Sequence, residues 1–390
     1  MLAELDPRNP FHWPHREELG TEFARLLGAA QEGGSTVSEC FLTAARIDLK
    51  DRQSWRQEWQ RTAIVSHERG NRALDSGHLL TAKSNWLRAV NYYLAAAIDF
   101  DAADANLKVV LQSIRKCAHL YLKHSTPGGE VVTIPWLHGY ALEGFFLPSP
   151  NPRGRSAVVI CIGEPGHRKE EHLGKSARYA LERGMSLLAV DLLGSDGGVR
   201  FDKIVGRSDL ETAIPSVMDF LLSRHDIDED RIAIFGDGGG SSFVARGIAH
   251  DPRFAAAVCD GGIWDMMEQE FLQGRLSSRD ATLKPKRGYS GVAQTLKCPL
   301  LVTVGEHGWL EPGMVKNMVR QLKSNRQDIS LKIFSGSETA SSQGHLDNPS
   351  LANEYIFDWI ADRLENRRSL ASAVSRNPPR PLRMLSQDDS

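Results

Sequence analysis

Apolar residues recur at helical spacing within residues 54–124, in Trp86, Ala89, Val90, Tyr93 and Leu94 and again in Val109, Val110, Ile114, Cys117 and Leu120. The stretch has no proline and little glycine, so it predicts a helical region. Pro127, Gly128 and Gly129 interrupt it, and a domain boundary near 125 follows. Beyond it, runs at 131–134 and 140–147 predict an antiparallel pair of strands. Runs at 157–162, 186–190, 232–235, 255–259, 300–304 and 331–334 predict six buried strands. Helical stretches at 170–183, 209–224, 241–249, 313–323 and 350–364 alternate with them, the rhythm of an α/β fold with a mostly parallel, doubly wound sheet. Residues 264–297 break that rhythm and read as an insertion. The expected organisation is an N-terminal helical domain over 1–125, a sheet domain over 126–366 and a flexible tail over 367–390, with Pro378, Pro379 and Pro381 in the tail. The sequence shows no internal repeat.

Composition narrows the class. A chain of 390 residues with 41% hydrophobic and 25% charged positions is an ordinary globular protein, and a formal charge of -2 gives no footprint for nucleic acid. No segment reaches the roughly 18 uninterrupted apolar residues of a membrane span, and the first residues lack the texture of a secretory leader. Cys40, Cys117, Cys161, Cys259 and Cys298 are scattered without a CxxC pair, which points to a reducing compartment and a cytoplasmic protein.

The most informative segment runs Asp230-Arg-Ile-Ala-Ile-Phe-Gly-Asp-Gly-Gly-Gly-Ser241, a strand, a glycine-dense turn and a helix start. It resembles the nucleophile elbow of α/β-hydrolases, where G-x-S-x-G places a serine on a tight strand-to-helix turn. In that register Gly236 and Gly240 frame the turn and Gly238 holds the nucleophile position, where it has no side chain to attack a carbonyl. A shifted register makes Asp237 the nucleophile, but it displaces the framing glycines. A phosphate-cradling turn is a blander alternative, and the segment lacks both the G-x-G-x-x-G spacing and a P-loop lysine.

Gly70, Gly77, His78, Ala82, Arg88, Ala89, Tyr92 and Tyr93 match the helical signature of the FrsA-like, 2,6-dihydroxypseudooxynicotine hydrolase-like family of α/β-hydrolases, and with the elbow they carry a resemblance over residues 55–365. Read without it, Trp86, Tyr92 and Tyr93 are core packing. The resemblance implies an α/β-hydrolase fold behind a helical domain, a homodimer through those helices, and a Ser/Asp/His triad, often used to cleave a carbon–carbon bond beside a carbonyl. His345, in Ser342-Gln-Gly-His345, matches the family's histidine. The family's aspartate falls at Gly308, leaving Glu306, Glu311, Asp260 and Asp265 as candidates to orient His345. The family's oxyanion turn precedes Lys169-Glu-Glu171, and Pro165 stands there without an N–H to donate.

These departures predict a protein that works without an acyl-enzyme. His345, Asp237 and Glu164 are the candidate acid/base groups, and Gly238, Gly239, Pro165, His167, Glu306 and His307 the candidate substrate contacts. The expected substrate is a phenolic, polyketide-like or β-dicarbonyl small molecule undergoing carbon–carbon cleavage, cyclisation or isomerisation, with no cofactor. Two alternatives stay open: a cofactor-free oxygenase, and a non-catalytic binder in which Gly238 and Gly308 make room for ligand. A metal site from Glu164, His167, His307 and His345 is disfavoured, because these residues lack helical i, i+4 spacing.

Overall fold

The computed structural model describes residues 17–48, 50–51, 53–98, 100, 104–137, 140–150, 154–163, 168–192, 212–261, 296–308, 310–324 and 328–376. Glu164, Pro165, His167, Asp265 and nearly all of the 264–297 insertion lie outside them.

The helical region forms α1 (Glu17–Ala29), α2 (Val37–Ala44), α3 (Ser54–Asp75), α4 (Leu79–Ala97) and α5 (Ala105–Lys123). Its signature residues are explained by packing. Gly77, at φ +79, closes α3 in a Schellman motif, His78 N donating to Ala73 O (2.8 Å) and Gly77 N to Leu74 O (2.9 Å). A Cβ on Gly70 would sit 2.6 Å from the Trp86 ring, so the glycine sets how closely α3 and α4 approach. Trp86 and Tyr92 are fully buried and Tyr93 nearly so. The Tyr92 hydroxyl donates to Glu39 (2.7 Å) and accepts from Thr36 N (2.9 Å), which ties α4 to the start of α2.

The sheet comprises β1 (Glu130–Leu137), β2 (Tyr140–Leu147), β3 (Ser156–Ile162), β4 (Ser186–Val190), β5 (Ile227–Asp237), β6 (Ala256–Asp260), β7 (Leu300–Gly305) and β8 (Ile329–Phe334). Their order is β1-β2-β4-β3-β5-β6-β7-β8, with β1 and β2 antiparallel and β3 to β8 parallel. Between them run α6 (His172–Lys175), α7 (Ala177–Glu182), α8 (Ala213–Leu222), α9 (Gly240–His250), α10 (Pro312–Ser324) and, after β8, α11 (Pro349–Arg376). The last helix continues to Arg376, ten residues into the segment expected as tail.

Side chains of a strand alternate between faces, and β3 divides the core accordingly. Val158, Ile160 and Ile162 pack with Ile214, Val217, Val244, Ile248 and Val315 of α8, α9 and α10. Ala157, Val159 and Cys161 join Trp55, Trp59, Trp86 and Tyr92 of the N-terminal helices and Phe357 of α11 in one continuous cluster. The helical region therefore covers one face of the sheet. The chain leaves β3 toward β4 and leaves β5 toward β6, which opens a crevice between the carboxyl ends of β3 and β5, where ligands bind in open α/β sheets.

Candidate active site

The turn at the end of β5 is built from backbone contacts. A Cβ on Gly240 would lie 2.5 Å from Ile162 O, and one on Gly236 would lie 2.8 Å from the Gly240 backbone, so neither position admits a side chain. Gly238 between them has φ +52, a conformation that side chains rarely adopt. The Ser241 hydroxyl lies 2.8 Å from Asp260 O and 3.1 Å from Gly236 O, which fastens the start of α9 to β6. Gly236 and Gly240 thus frame the turn and Gly238 is its apex, whereas Asp237 is the last residue of the strand and Gly239 the first step into α9.

His345 ends a one-turn 3-10 segment, Gln343–His345, after β8. Thr339, Ala340 and His345 all have positive φ, strain of about 1–2 kcal/mol each for L-residues. Asp347 holds the loop, its carboxylate accepting from Ser341 N (2.9 Å), Ser342 N (3.0 Å) and the Ser342 hydroxyl (2.6 Å). The ring of His345 meets Phe334 edge-on at 4.8 Å. Its Nδ1 lies 2.5 Å from Ala340 O; a carbonyl only accepts, so Nδ1 carries a proton and donates. Its Nε2 lies 2.7 Å from Asp260 Oδ1, which also accepts from the Thr303 hydroxyl (2.7 Å). Burial disfavours the imidazolium, but the charge and hydrogen bond of Asp260 and the Ala340 carbonyl outweigh it, and the His345 pKa is raised. Burial likewise opposes ionisation of Asp260, yet His345, Lys175 and Thr303 hold its pKa below the ordinary range. The two form a buried pair in which both shifts favour the imidazolium–carboxylate form.

Of the three candidate acids among the described residues, Asp260, Glu306 and Glu311, Asp260 is thus the one bonded to His345. Glu306 instead accepts from Gly336 N (2.7 Å), and Glu311 caps α10 by accepting from Gly313 N (3.0 Å) and Met314 N (2.9 Å). His307 Nδ1 lies 3.2 Å from the Ser341 hydroxyl, within the same loop system. A Cβ on Gly308 would lie 3.1 Å from the Gln343 side chain. Sheet register explains the choice of Asp260, because Asp237, Asp260 and Thr303 are successive partners across β5, β6 and β7 at their carboxyl ends.

Lys175, which the sequence reading missed, completes the group. Its Nζ lies 2.5 Å from Asp237 Oδ2. Burial opposes its charge, but Asp237 and Asp260 prevail and raise its pKa. Nothing in the spacing signals this contact, since the partners are 62 residues apart. The arrangement is two ion pairs, Lys175–Asp237 and His345–Asp260, in mutual electrostatic contact at the sheet's carboxyl edge. Nearby, fully buried Lys169 reaches Asp191 Oδ2 (3.0 Å) and Glu143 Oε1 (3.1 Å), while its backbone N donates to Asp191 Oδ1 (2.6 Å). It pins the segment after β3 to the middle of β2 and the end of β4. Among the described residues no group of three or more His, Cys, Asp or Glu could hold a metal ion, and no helix is long and apolar enough to cross a membrane.

No family model matches the chain. It is 32% identical to a hydrolase, LUC6, from Fusarium sp over 272 residues, 66% of this chain and 65% of that protein. It is 30% identical to 20-hydroxy-prefusarin hydrolase FUS2 from Gibberella moniliformis over 258 residues, 63% of this chain and 61% of that protein. The matches thus span just under two thirds of those relatives' own length. Among solved structures, 2,6-dihydroxy-pseudo-oxynicotine hydrolase superposes with a TM-score of 0.71 at 19% identity, covering 86% of this chain and 95% of that one.

Proposed function

We propose that this chain, an α/β-hydrolase-fold protein similar to fungal α/β-hydrolases, is a small-molecule enzyme that works by acid/base chemistry and forms no acyl-enzyme. The observation that carries this reading is the pairing of an intact elbow, whose apex is Gly238 at φ +52, with a histidine still held by a buried carboxylate. An apex without a side chain has nothing to acylate. The proposed substrates are phenolic, polyketide-like or β-dicarbonyl compounds, and the reaction a carbon–carbon cleavage, cyclisation or isomerisation without a cofactor. Such substrates stabilise a carbanion themselves, so acid/base assistance of about 10²- to 10⁴-fold plus positioning suffices. A relative named as a 20-hydroxy-prefusarin hydrolase supports a small-molecule substrate.

The roles follow from the hydrogen bonds. Nδ1 of His345 is fixed on Ala340 O, so the mobile proton is the one at Nε2, shared with Asp260. Below its raised pKa the imidazolium is an acid, and once deprotonated it is a base of more than ordinary strength. Asp237 and Glu164 are the accessory acid/base candidates, and Gly238, Gly239, Pro165, His167, Glu306 and His307 the candidate substrate contacts. Five free, buried cysteines agree with a reducing, cytoplasmic setting. The N-terminal helices would pair two copies, which sedimentation tests.

Screening such compounds for turnover, then comparing His345→Ala, tests the proposal. A drop of about 10²-fold or more is expected, and an unchanged rate refutes it. One observation favours a second reading, a non-catalytic binder: both ring nitrogens of His345 already have protein partners. A tightly bound compound recovered intact after long incubation would decide for the binder. Oxygen uptake with the same compounds would decide for a cofactor-free oxygenase.

A further inference from the structure

Which of the four charged groups can touch a ligand is decided by what each has left over. The side chains of His345 and Asp260 are 3% and 5% exposed, and that of Asp237 is 9% exposed. Lys175 retains 24%. Hydrogen bonding points the same way. His345 spends both nitrogens, and Asp260 Oδ1 takes two donors. An ammonium has three N–H groups, and among the described residues that of Lys175 makes one hydrogen bond, to Asp237. The backbone behind it is fixed, because Asn353 of α11 donates its side-chain amide to Lys175 O (3.2 Å). Asp237 immediately precedes Gly238, so the ammonium is bonded to the chain neighbour of the apex.

We propose that Lys175 is the electrophile of this site, with its ammonium binding an anionic oxygen, phenolate or enolate, on a ligand seated beside Gly238. Asp237 is then a positioning residue that holds the ammonium and keeps it charged rather than a base in its own right. Two donors of Lys175 meet the oxygen, and the proton lost by the phenol or enol passes to solvent. The ammonium sits where water is partly excluded, so the cation favours an ionised ligand more than it would in bulk water. The assignment rests on the small-molecule acid/base reading above and names the group that reading lacked.

The test uses the full chain and 4-nitrophenol, whose phenolate is coloured, with absorbance of the bound probe followed against pH. In the wild-type protein the bound probe should ionise about one pH unit or more below the free probe, a preference of at least about tenfold for phenolate. Lys175→Arg should keep most of the shift. Lys175→Met made together with Asp237→Asn, which leaves no unpaired buried carboxylate, should abolish it. A bound probe that ionises like the free one, or a shift surviving in that double variant, overturns the assignment while the acid/base reading stands. A wild-type protein that binds neither this probe nor a simple β-diketone overturns both.

Discussion

Replacing Asp260 by asparagine keeps the shape of the side chain and removes the charge that holds His345 protonated. Oδ1 accepts from both Nε2 of His345 and the Thr303 hydroxyl, and an amide nitrogen in its place can only donate. Keeping the imidazolium would leave a buried charge without a partner, a loss of about 3–5 kcal/mol. His345 escapes most of that by releasing the Nε2 proton and accepting from the amide, since Nδ1 stays bonded to Ala340 O. Its pKa then falls below the ordinary value of about 6.5, whereas in the wild-type protein it lies above. The sign follows from linkage. The wild-type pair is fully stabilising below the unfolded histidine's pKa and loses that contribution as pH rises through the raised folded value. The variant, folded with a neutral histidine, instead loses stability as pH falls below about 6.5, at about 1.4 kcal/mol per pH unit. The difference in stability between the two proteins should therefore shrink steadily with rising pH, by about 1.4 kcal/mol per unit, between the two histidine pKa values. Urea unfolding from about pH 5 to about pH 8 measures it, with His345→Gln and the double variant closing the cycle. A deficit that does not change with pH, or single-variant effects that simply add, would refute the ion pair.

Other predictions bear on the elbow and the helices. Gly240→Ala, which drives a Cβ to 2.5 Å from Ile162 O, should cost well over about 2 kcal/mol or prevent folding, and Gly238→Ala should cost at least the about 1–2 kcal/mol of its positive φ; a Gly240→Ala protein as stable as wild type in thermal unfolding would contradict the assigned register. Gly238→Ser should not react with a fluorophosphonate probe, because Nε2 of His345 is committed to Asp260 and Pro165 offers no N–H; stoichiometric labelling would show that the acyl machinery is intact. Gly70→Ala should destabilise by about 1–3 kcal/mol through overpacking against Trp86, and an unchanged unfolding midpoint would count against the helix contact.

Much of this is legible in the sequence, for physical reasons. A strand buried on both faces must be apolar throughout, so β3, β4, β6 and β7 stand out as unbroken runs. The amino end of β5 does not, because Asp228 to Arg231 are charged and partly solvated, and the strand begins at Ile227 rather than 232. The stretch 170–183 breaks at Ser176, whose φ of -121 ends α6; its hydroxyl lies 3.0 Å from His172 Nδ1. Gly236 and Gly240 were readable because close backbone approach admits glycine alone. Asp260 was one of four acids and could not be singled out, since its role depends on strand register. Lys175 left no trace at all: its meaning comes from Asp237, which lies on another element, and an isolated lysine near a helix reads as a solvated charge.

The turn at the end of β5 owes its shape to glycine meeting backbone at Gly236 and Gly240 and to the Ser241 hydroxyl, while Gly238 contributes its positive φ and a carbonyl that accepts from Ser241 N (3.1 Å). The frame is thus fixed on either side of the apex, by backbone contacts that no side chain makes. The design separates the residues that shape the turn from the position that would carry a nucleophile, so the turn persists where that side chain is absent.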